Sequence, residues 1–71
     1  MRGILIYNGT RPDIALYDGT LLGGLHCGDR FSFYQDGMRK TVRVEFFEDW
    51  VIFDELQTFP LPYGIEVVLL E

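Results

Sequence analysis

Short apolar runs alternate along the chain with pairs of turn-forming residues. Four such pairs follow one another at nearly even intervals: Asn8-Gly9, Asp18-Gly19, Gly28-Asp29 and Asp36-Gly37. Asn-Gly and Asp-Gly supply the positive φ angles that tight hairpins need. Short strands at intervals of about 8–12 residues are typical of barrels and sandwiches. The pattern therefore predicts an all-β domain.

The apolar runs themselves predict the strands. Alternation with period two is clearest in residues 41–46, where Val42, Val44 and Phe46 share one face and Phe47 lies on the other. We place the predicted strands at residues 4–7, 13–17, 30–34, 41–46, 50–53 and 64–70. Residues 55–62 contain prolines without backbone donors, so this segment is predicted to be a loop or a single helical turn.

These strands predict one domain over residues 1–71. The expected architecture is a small SH3-like β-barrel of about five or six bent antiparallel strands, closed by the C-terminal strand. The apolar run at residues 4–7 is too short for a signal sequence or a membrane span, so we expect no contact with a membrane.

Charge and cysteine content restrict the classes of function. The formal net charge of -5 opposes binding to nucleic acid or anionic lipid, because phosphate-binding domains usually carry a basic face. The acidic excess lies in the C-terminal half of the chain. Cys27 is the only cysteine, so no intramolecular disulfide can form, and we expect a cytoplasmic protein.

Residues 25–30 are the only segment that holds a histidine, the cysteine, a carboxylate and a guanidinium together. A Cys–His pair of His26 and Cys27 would need an irregular backbone, since adjacent strand residues point to opposite faces. We expect instead that Cys27 is a small buried residue, that His26 is a surface or half-buried strand residue, and that Gly28-Asp29 forms a turn. We therefore predict no catalytic residue. No metal-ligand spacing occurs either, so we predict no metal and no cofactor.

Residues 45–55 hold five carboxylates and four large aromatic side chains. With Phe46 inward, Phe47 is expected to face outward among acidic groups. Exposed aromatic residues with a polar rim are typical of protein interfaces. We therefore predict a non-enzymatic protein-binding module that contacts an unidentified partner through Phe47, Glu48, Asp49 and Trp50. The alternative is a hairpin with aromatic core residues and solubilising charges.

Three further interpretations stay open. Arg39, Lys40 and Arg43 lie on a predicted hairpin and indicate a nucleic-acid-associated barrel as an alternative. An acidic, aromatic-rich domain is also suited to imitate nucleic acid and so inhibit a host protein. Finally, an exposed edge strand favours a homodimer.

Several motifs together resemble a family of short bacterial proteins of unknown function. They are the run Leu25 to Phe31, the turn at Gly37, Arg43-Val44-Glu45, Asp49-Trp50 and Gly64-Ile65-Glu66-Val67. The resemblance covers residues from about Leu16 to Val68. Members are typically encoded on conjugative elements and prophages. The resemblance implies an accessory protein of a bacterial mobile element in the cytoplasm, and it carries over no active-site residue.

Overall fold

Seven strands form one antiparallel sheet in the computed structural model, which describes residues 1–70. Within that range there is no helix long and apolar enough to span a membrane. The predicted all-β class is confirmed. The strands are β1 (Arg2–Tyr7), β2 (Pro12–Leu16), β3 (Arg30–Gln35), β4 (Met38–Phe47), β5 (Asp49–Asp54), β6 (Gln57–Pro60) and β7 (Glu66–Leu70).

The predicted turn residues lie between the strands. Asp36 and Gly37 join β3 to β4 with φ values of 53° and 78°, which the two-residue hairpin turn requires. In the loop between β1 and β2, the side-chain oxygen of Asn8 accepts hydrogen bonds from the backbone N–H groups of Thr10 and Arg11, at 2.9 and 3.1 Å. Local side-chain chemistry thus sets both hairpins.

The strand order in the sheet is β2-β1-β7-β3-β4-β5-β6. The last strand pairs with the first, and on its other side it pairs with β3. It does not close a barrel, because it lies inside the sheet while β2 and β6 form the two ends. The sheet is therefore not closed, and it has seven strands rather than five or six.

β6 is the strand that the sequence did not predict. It lies where a loop or helical turn was expected, and it pairs with β5 so that Phe59 is opposite Ile52 and Gln57 is opposite Asp54. A proline is tolerated there because an edge strand needs no donor on its outer side. The preceding turn uses Glu55 at a φ of 58° instead of glycine, so no turn dipeptide marks it.

One face of the curled sheet carries the hydrophobic core, and we call it the inner face. The opposite side is the outer face. Leu25, from the connection between β2 and β3, and Leu61, from the connection between β6 and β7, complete the core. The buried core residues are Leu5, Ile14, Leu25, Phe31, Phe33, Val42, Val44, Ile52, Leu61 and Val67.

The two ends of the sheet differ in exposure. Backbone N–H groups of Leu22 and Leu25 donate to the carbonyl oxygens of Ile14 and Pro12, at 2.9 and 2.7 Å, so the connecting segment covers the outer edge of β2. All four residues of β6 are exposed. β6 is therefore the accessible edge of the described sheet.

Candidate functional site

The end of the β4–β5 hairpin carries the most unusual surface of the described chain. Phe46 and Phe47 are consecutive and face opposite sides of β4, yet 50% of Phe46 and 58% of Phe47 is exposed. Glu48 occupies the tip of the hairpin at a φ of 63°, between the paired residues Phe47 and Asp49. This hairpin end therefore presents an aromatic side chain on each face.

On the inner side, Phe46 packs edge-on against Trp50, with ring centroids 5.0 Å apart. Trp50 is half-buried and packs against the core. The guanidinium carbon of Arg11 lies 5.5 Å from the centre of the Trp50 ring. Phe46 keeps the inward orientation predicted from the sequence but lies beyond the core, so it stays accessible.

On the outer side, Phe47 contacts Phe53 edge-on, with ring centroids 5.8 Å apart. Phe53 in turn lies 5.0 Å from the guanidinium carbon of Arg43, a distance at which cation and ring attract each other. Phe47 thus lies at the end of a short row of packed side chains on the outer face, and its free side faces solvent.

The tip between these aromatic residues is acidic. Glu48 and Asp49 are exposed, and within residues 1–70 neither carboxylate takes part in an ion pair. Asp49 Oδ1 accepts a hydrogen bond of 2.8 Å from the backbone N–H of Trp50, which holds its side chain close to the strand. The structure thus brings Phe47, Glu48 and Asp49 together at the hairpin end, while Trp50 lies behind them on the inner face.

The three basic residues of the alternative site do not form one patch. Successive residues of β4 face opposite sides, so Arg39 and Arg43 lie on the outer face and Lys40 on the inner face. Lys40 Nζ is 3.7 Å from Asp54 Oδ2, in a half-exposed ion pair. A basic hairpin built from Arg39, Lys40 and Arg43 acting together is therefore not what the fold presents.

His26 and Cys27 lie in the turn before β3, and the cysteine is exposed rather than buried as predicted. His26 is exposed, which fits one of the two expected positions, but it precedes β3 and does not belong to a strand. Its Nδ1 is 3.9 Å from Asp29 Oδ2. The same carboxylate accepts the backbone N–H of His26 at 2.8 Å, so its part in the turn is structural. Within residues 1–70 no three His, Cys, Asp or Glu side chains are grouped as a metal ion would need.

Two features of the structure, an open cavity on the inner face and a buried carboxylate, have no clear sequence signal. An open cavity of about 270 Å³ lies between β3, β4, β5 and β6, with an apolar floor and the Lys40–Asp54 ion pair at its rim. Its position depends on β6, which the sequence did not reveal. Its lining residues are Phe33, Gln35, Lys40, Val42, Ile52, Asp54, Phe59, Pro60 and Pro62.

The second feature is a fully buried carboxylate, Asp13, at 0% exposure. It accepts hydrogen bonds from Asn8 Nδ2 and from the backbone N–H groups of Ile14 and Gly23, at 3.1, 2.7 and 3.1 Å. Burial raises the pKa of Asp13, but these hydrogen bonds outweigh burial and hold the pKa below its usual value. Asp13 joins the first hairpin to the segment that covers it, which is a structural role.

The fold and the hairpin end together define a small all-β domain with a projecting aromatic and acidic surface. The family model of a domain of unknown function, DUF5348, matches residues 3–68. The chain therefore belongs to this family. No curated protein and no solved structure matches the chain.

Proposed function

We propose that this domain is a non-enzymatic protein-binding module that contacts its partner through the β4–β5 hairpin end. The observation that carries the proposal is the pair Phe46 and Phe47, each at least half exposed on opposite sides of one hairpin. Exposing two large aromatic rings to water is unfavourable unless a partner covers them, and aromatic side chains dominate the binding energy of interfaces.

The charge of the hairpin end specifies the partner. Glu48 and Asp49 flank Phe47, and both carboxylates are exposed. A basic protein surface with an apolar recess complements this arrangement, since opposite charges accelerate encounter and the buried ring holds the complex. Phe47 is the proposed anchor, and Glu48 and Asp49 are the orienting rim. Trp50 supports the hairpin from behind.

The test compares two exposed aromatic residues on the outer face. Immobilised wild-type protein, Phe47→Ala and Tyr34→Ala are each incubated with a nuclease-treated bacterial lysate. We expect a protein that wild type and Tyr34→Ala retain and Phe47→Ala loses. For the purified partner, Phe47→Ala is expected to weaken binding by about 2 kcal/mol or more. Unchanged affinity of Phe47→Ala would show that the anchor is wrongly assigned.

The acidic rim has its own test. Glu48→Gln keeps the shape of the side chain and removes one charge, so the association rate for the partner should fall while the dissociation rate changes little. The association rate of wild type should also fall as salt rises, because exposed charges are screened. Equal association rates for wild type and Glu48→Gln would remove the carboxylate from the interface.

A second copy of the chain is another proposed partner, through the exposed edge of β6. A two-residue turn between β5 and β6 leaves the backbone N–H of Thr58 facing away from β5, available to a further strand. Sedimentation should then show a mass above 8.2 kDa at high concentration. Thr58→Pro, which removes this donor, should restore the monomer, and a monomer at every concentration would contradict the dimer.

The wider role is also a proposal. The resemblance to short proteins of conjugative elements and prophages supports an accessory function for a bacterial mobile element, and the single cysteine fits the cytoplasm. Likeness of the curled sheet to SH3-like barrels belongs to the same proposal. Genes beside those of family members test the first point: neighbours for transfer or integration would support it, and a housekeeping context would oppose it.

A further inference from the structure

We propose that the outer face of β3 and β4 is a binding platform for single-stranded nucleic acid, separate from the hairpin end. Two arginines of the predicted basic hairpin, Arg39 and Arg43, lie on this face, and Arg30 of β3 joins them. Their arrangement differs from the basic hairpin considered above, because Lys40 is absent from the platform.

The strand register places like charges together. Arg30 is directly opposite Arg43, and both are exposed. Like charges in this position destabilise a sheet. Glu45 forms an ion pair with Arg43, whereas within residues 1–70 Arg30 forms none, so an anionic ligand would relieve the repulsion that remains. Arg39 lies on the same face of β4, four residues from Arg43, or about 13 Å along the strand. Within residues 1–70 Arg39 makes no ion pair.

An exposed aromatic ring accompanies the arginines. Tyr34 is directly opposite Arg39 and is 74% exposed, although it belongs to a strand whose other aromatic side chains are buried. At the far end, Phe53 is half-buried beneath Arg43. Flat aromatic faces on a sheet stack against unpaired bases, and arginines beside them bind the phosphates. Double-stranded nucleic acid hides its bases, so the platform selects single strands.

The net charge of -5 does not exclude such binding, because the outer face of β3 and β4 carries three arginines and a single carboxylate, Glu45. Glu48 and Asp49 occupy the tip of the β4–β5 hairpin, at the opposite end of β4 from Arg39. Two other carboxylates lie nearer: Glu55 lines a recess with Arg39, and Glu66 of β7 lines one with Tyr34 and Arg39. Glu66 is 3.9 Å from Arg2 Nε, in an ion pair. Glu45 is the one acidic residue of β4, and it forms an ion pair with Arg43 at the edge of the platform. Arg39 and Tyr34 are on the other side of Arg43, away from this carboxylate.

The experiment measures the fluorescence anisotropy of labelled single strands of fifteen nucleotides, one of deoxythymidine and one of uridine, as protein is added. We expect both to bind wild-type protein, with affinity falling about tenfold between about 50 and 200 mM salt, because two or three phosphates are contacted. A duplex of the same length should bind much more weakly. No binding to either oligomer at low salt, or equal binding of the duplex, would overturn the proposal.

Matched variants locate the site. Arg39→Ala and Lys40→Ala each remove one positive charge from adjacent positions on opposite faces of β4. Arg39→Ala and Tyr34→Ala should each weaken oligomer binding by about tenfold, Lys40→Ala by less than about twofold, and Arg39→Lys should retain most of the affinity. Equal losses for Arg39→Ala and Lys40→Ala would show diffuse attraction and refute the platform.

These results are separable from those for the protein partner. Tyr34→Ala is expected to weaken oligomer binding and leave the affinity for the protein partner unchanged. Glu48→Gln should slow association with the protein partner and leave the affinity for the oligomer undiminished. Circular dichroism of each variant establishes that the sheet is intact before affinities are compared.

Discussion

The guanidinium carbon of Arg11 lies 5.5 Å from the centre of the Trp50 ring. Arg11 belongs to the loop between β1 and β2, and Trp50 belongs to β5, which three strands separate from β1 in the sheet. Arg11 Nη1 also donates a hydrogen bond of 3.5 Å to the carbonyl oxygen of Leu25. Side chains therefore connect two distant parts of a sheet that backbone hydrogen bonds do not close.

The Arg11–Trp50 contact predicts a spectroscopic change. Arg11→Ala should lower the free energy of unfolding by about 1–2 kcal/mol and shift the Trp50 emission to longer wavelength, because the ring loses a cation and its cover. Trp50 is the only tryptophan, so the emission reports this contact alone. Arg39→Ala, which also removes an arginine, should leave the emission unchanged. An unshifted spectrum for Arg11→Ala would show that solvent already reaches the ring.

Asp13 predicts a specific dependence of stability on pH. Its pKa is lower in the folded chain than its usual value of 3.8, so the folded state favours the ionised form. The contribution of Asp13 to stability is complete above the unfolded pKa and is lost as the pH falls through the folded pKa. Asp13→Asn should cost about 1–3 kcal/mol at pH 7 and lose less stability on acidification than wild type.

Urea unfolding of Asp13→Asn at about pH 7 and pH 3, followed by Trp50 fluorescence, measures both effects. Asp54→Asn is the control, because Asp54 is half-exposed and a surface ion pair such as that with Lys40 contributes about 1 kcal/mol or less. If Asp13→Asn and wild type lose equal stability between these pH values, Asp13 does not govern the acid response.

Gly3 lies so close to β2 that there is no room for a side chain at this position. A Cβ atom at this position would lie 2.4 Å from the carbonyl oxygen of Ala15 and 2.6 Å from Ile14 Cγ2. Gly3→Ala should therefore force the strands apart and cost about 1–3 kcal/mol in thermal or urea unfolding. A substitution without loss would mean that β1 and β2 separate easily.

Substitutions of Phe31 and Phe47 are predicted to lower stability by very different amounts. Phe31 is fully buried in the core, so Phe31→Ala should cost about 3–5 kcal/mol, enough to unfold so small a domain. Phe47→Ala should cost about 1 kcal/mol or less, since the ring makes one edge-on contact with Phe53. Thermal unfolding distinguishes them, and a large loss for Phe47→Ala would assign this ring to the fold rather than to a surface.

Local chemistry in the sequence accounts for the hairpins but not for the ends of the sheet. Asp36-Gly37 and the alternation around Val42 and Val44 correctly predict the β3–β4 hairpin and its buried face. β6 escaped prediction because its turn uses Glu55 in place of glycine and because Pro60 argues against a strand. A strand tolerates proline when it lies at the edge of the sheet, and the local sequence does not show which strand lies there.

The candidate sites also combine features that the local sequence predicts with features that depend on distant segments. Outward orientation of Phe47 follows from strand alternation, and the structure shows the ring exposed. Exposure of Phe46 depends on how far β4 extends past the core, and the cross-strand pairs of Arg30 with Arg43 and of Tyr34 with Arg39 depend on register. These are relations between distant segments, so the composition of one segment does not disclose them.

The position of β7 in the sheet has a consequence for synthesis. Of the seven described strands, β7 leaves the ribosome after the other six, yet it alone pairs with both β1 and β3. The hairpins β1–β2 and β3–β4 can form early, but they stay unconnected in the sheet until β7 arrives between them. Nascent chains halted before residue 66 should therefore expose the flanks of β1 and β3, where chaperones or proteases can reach them.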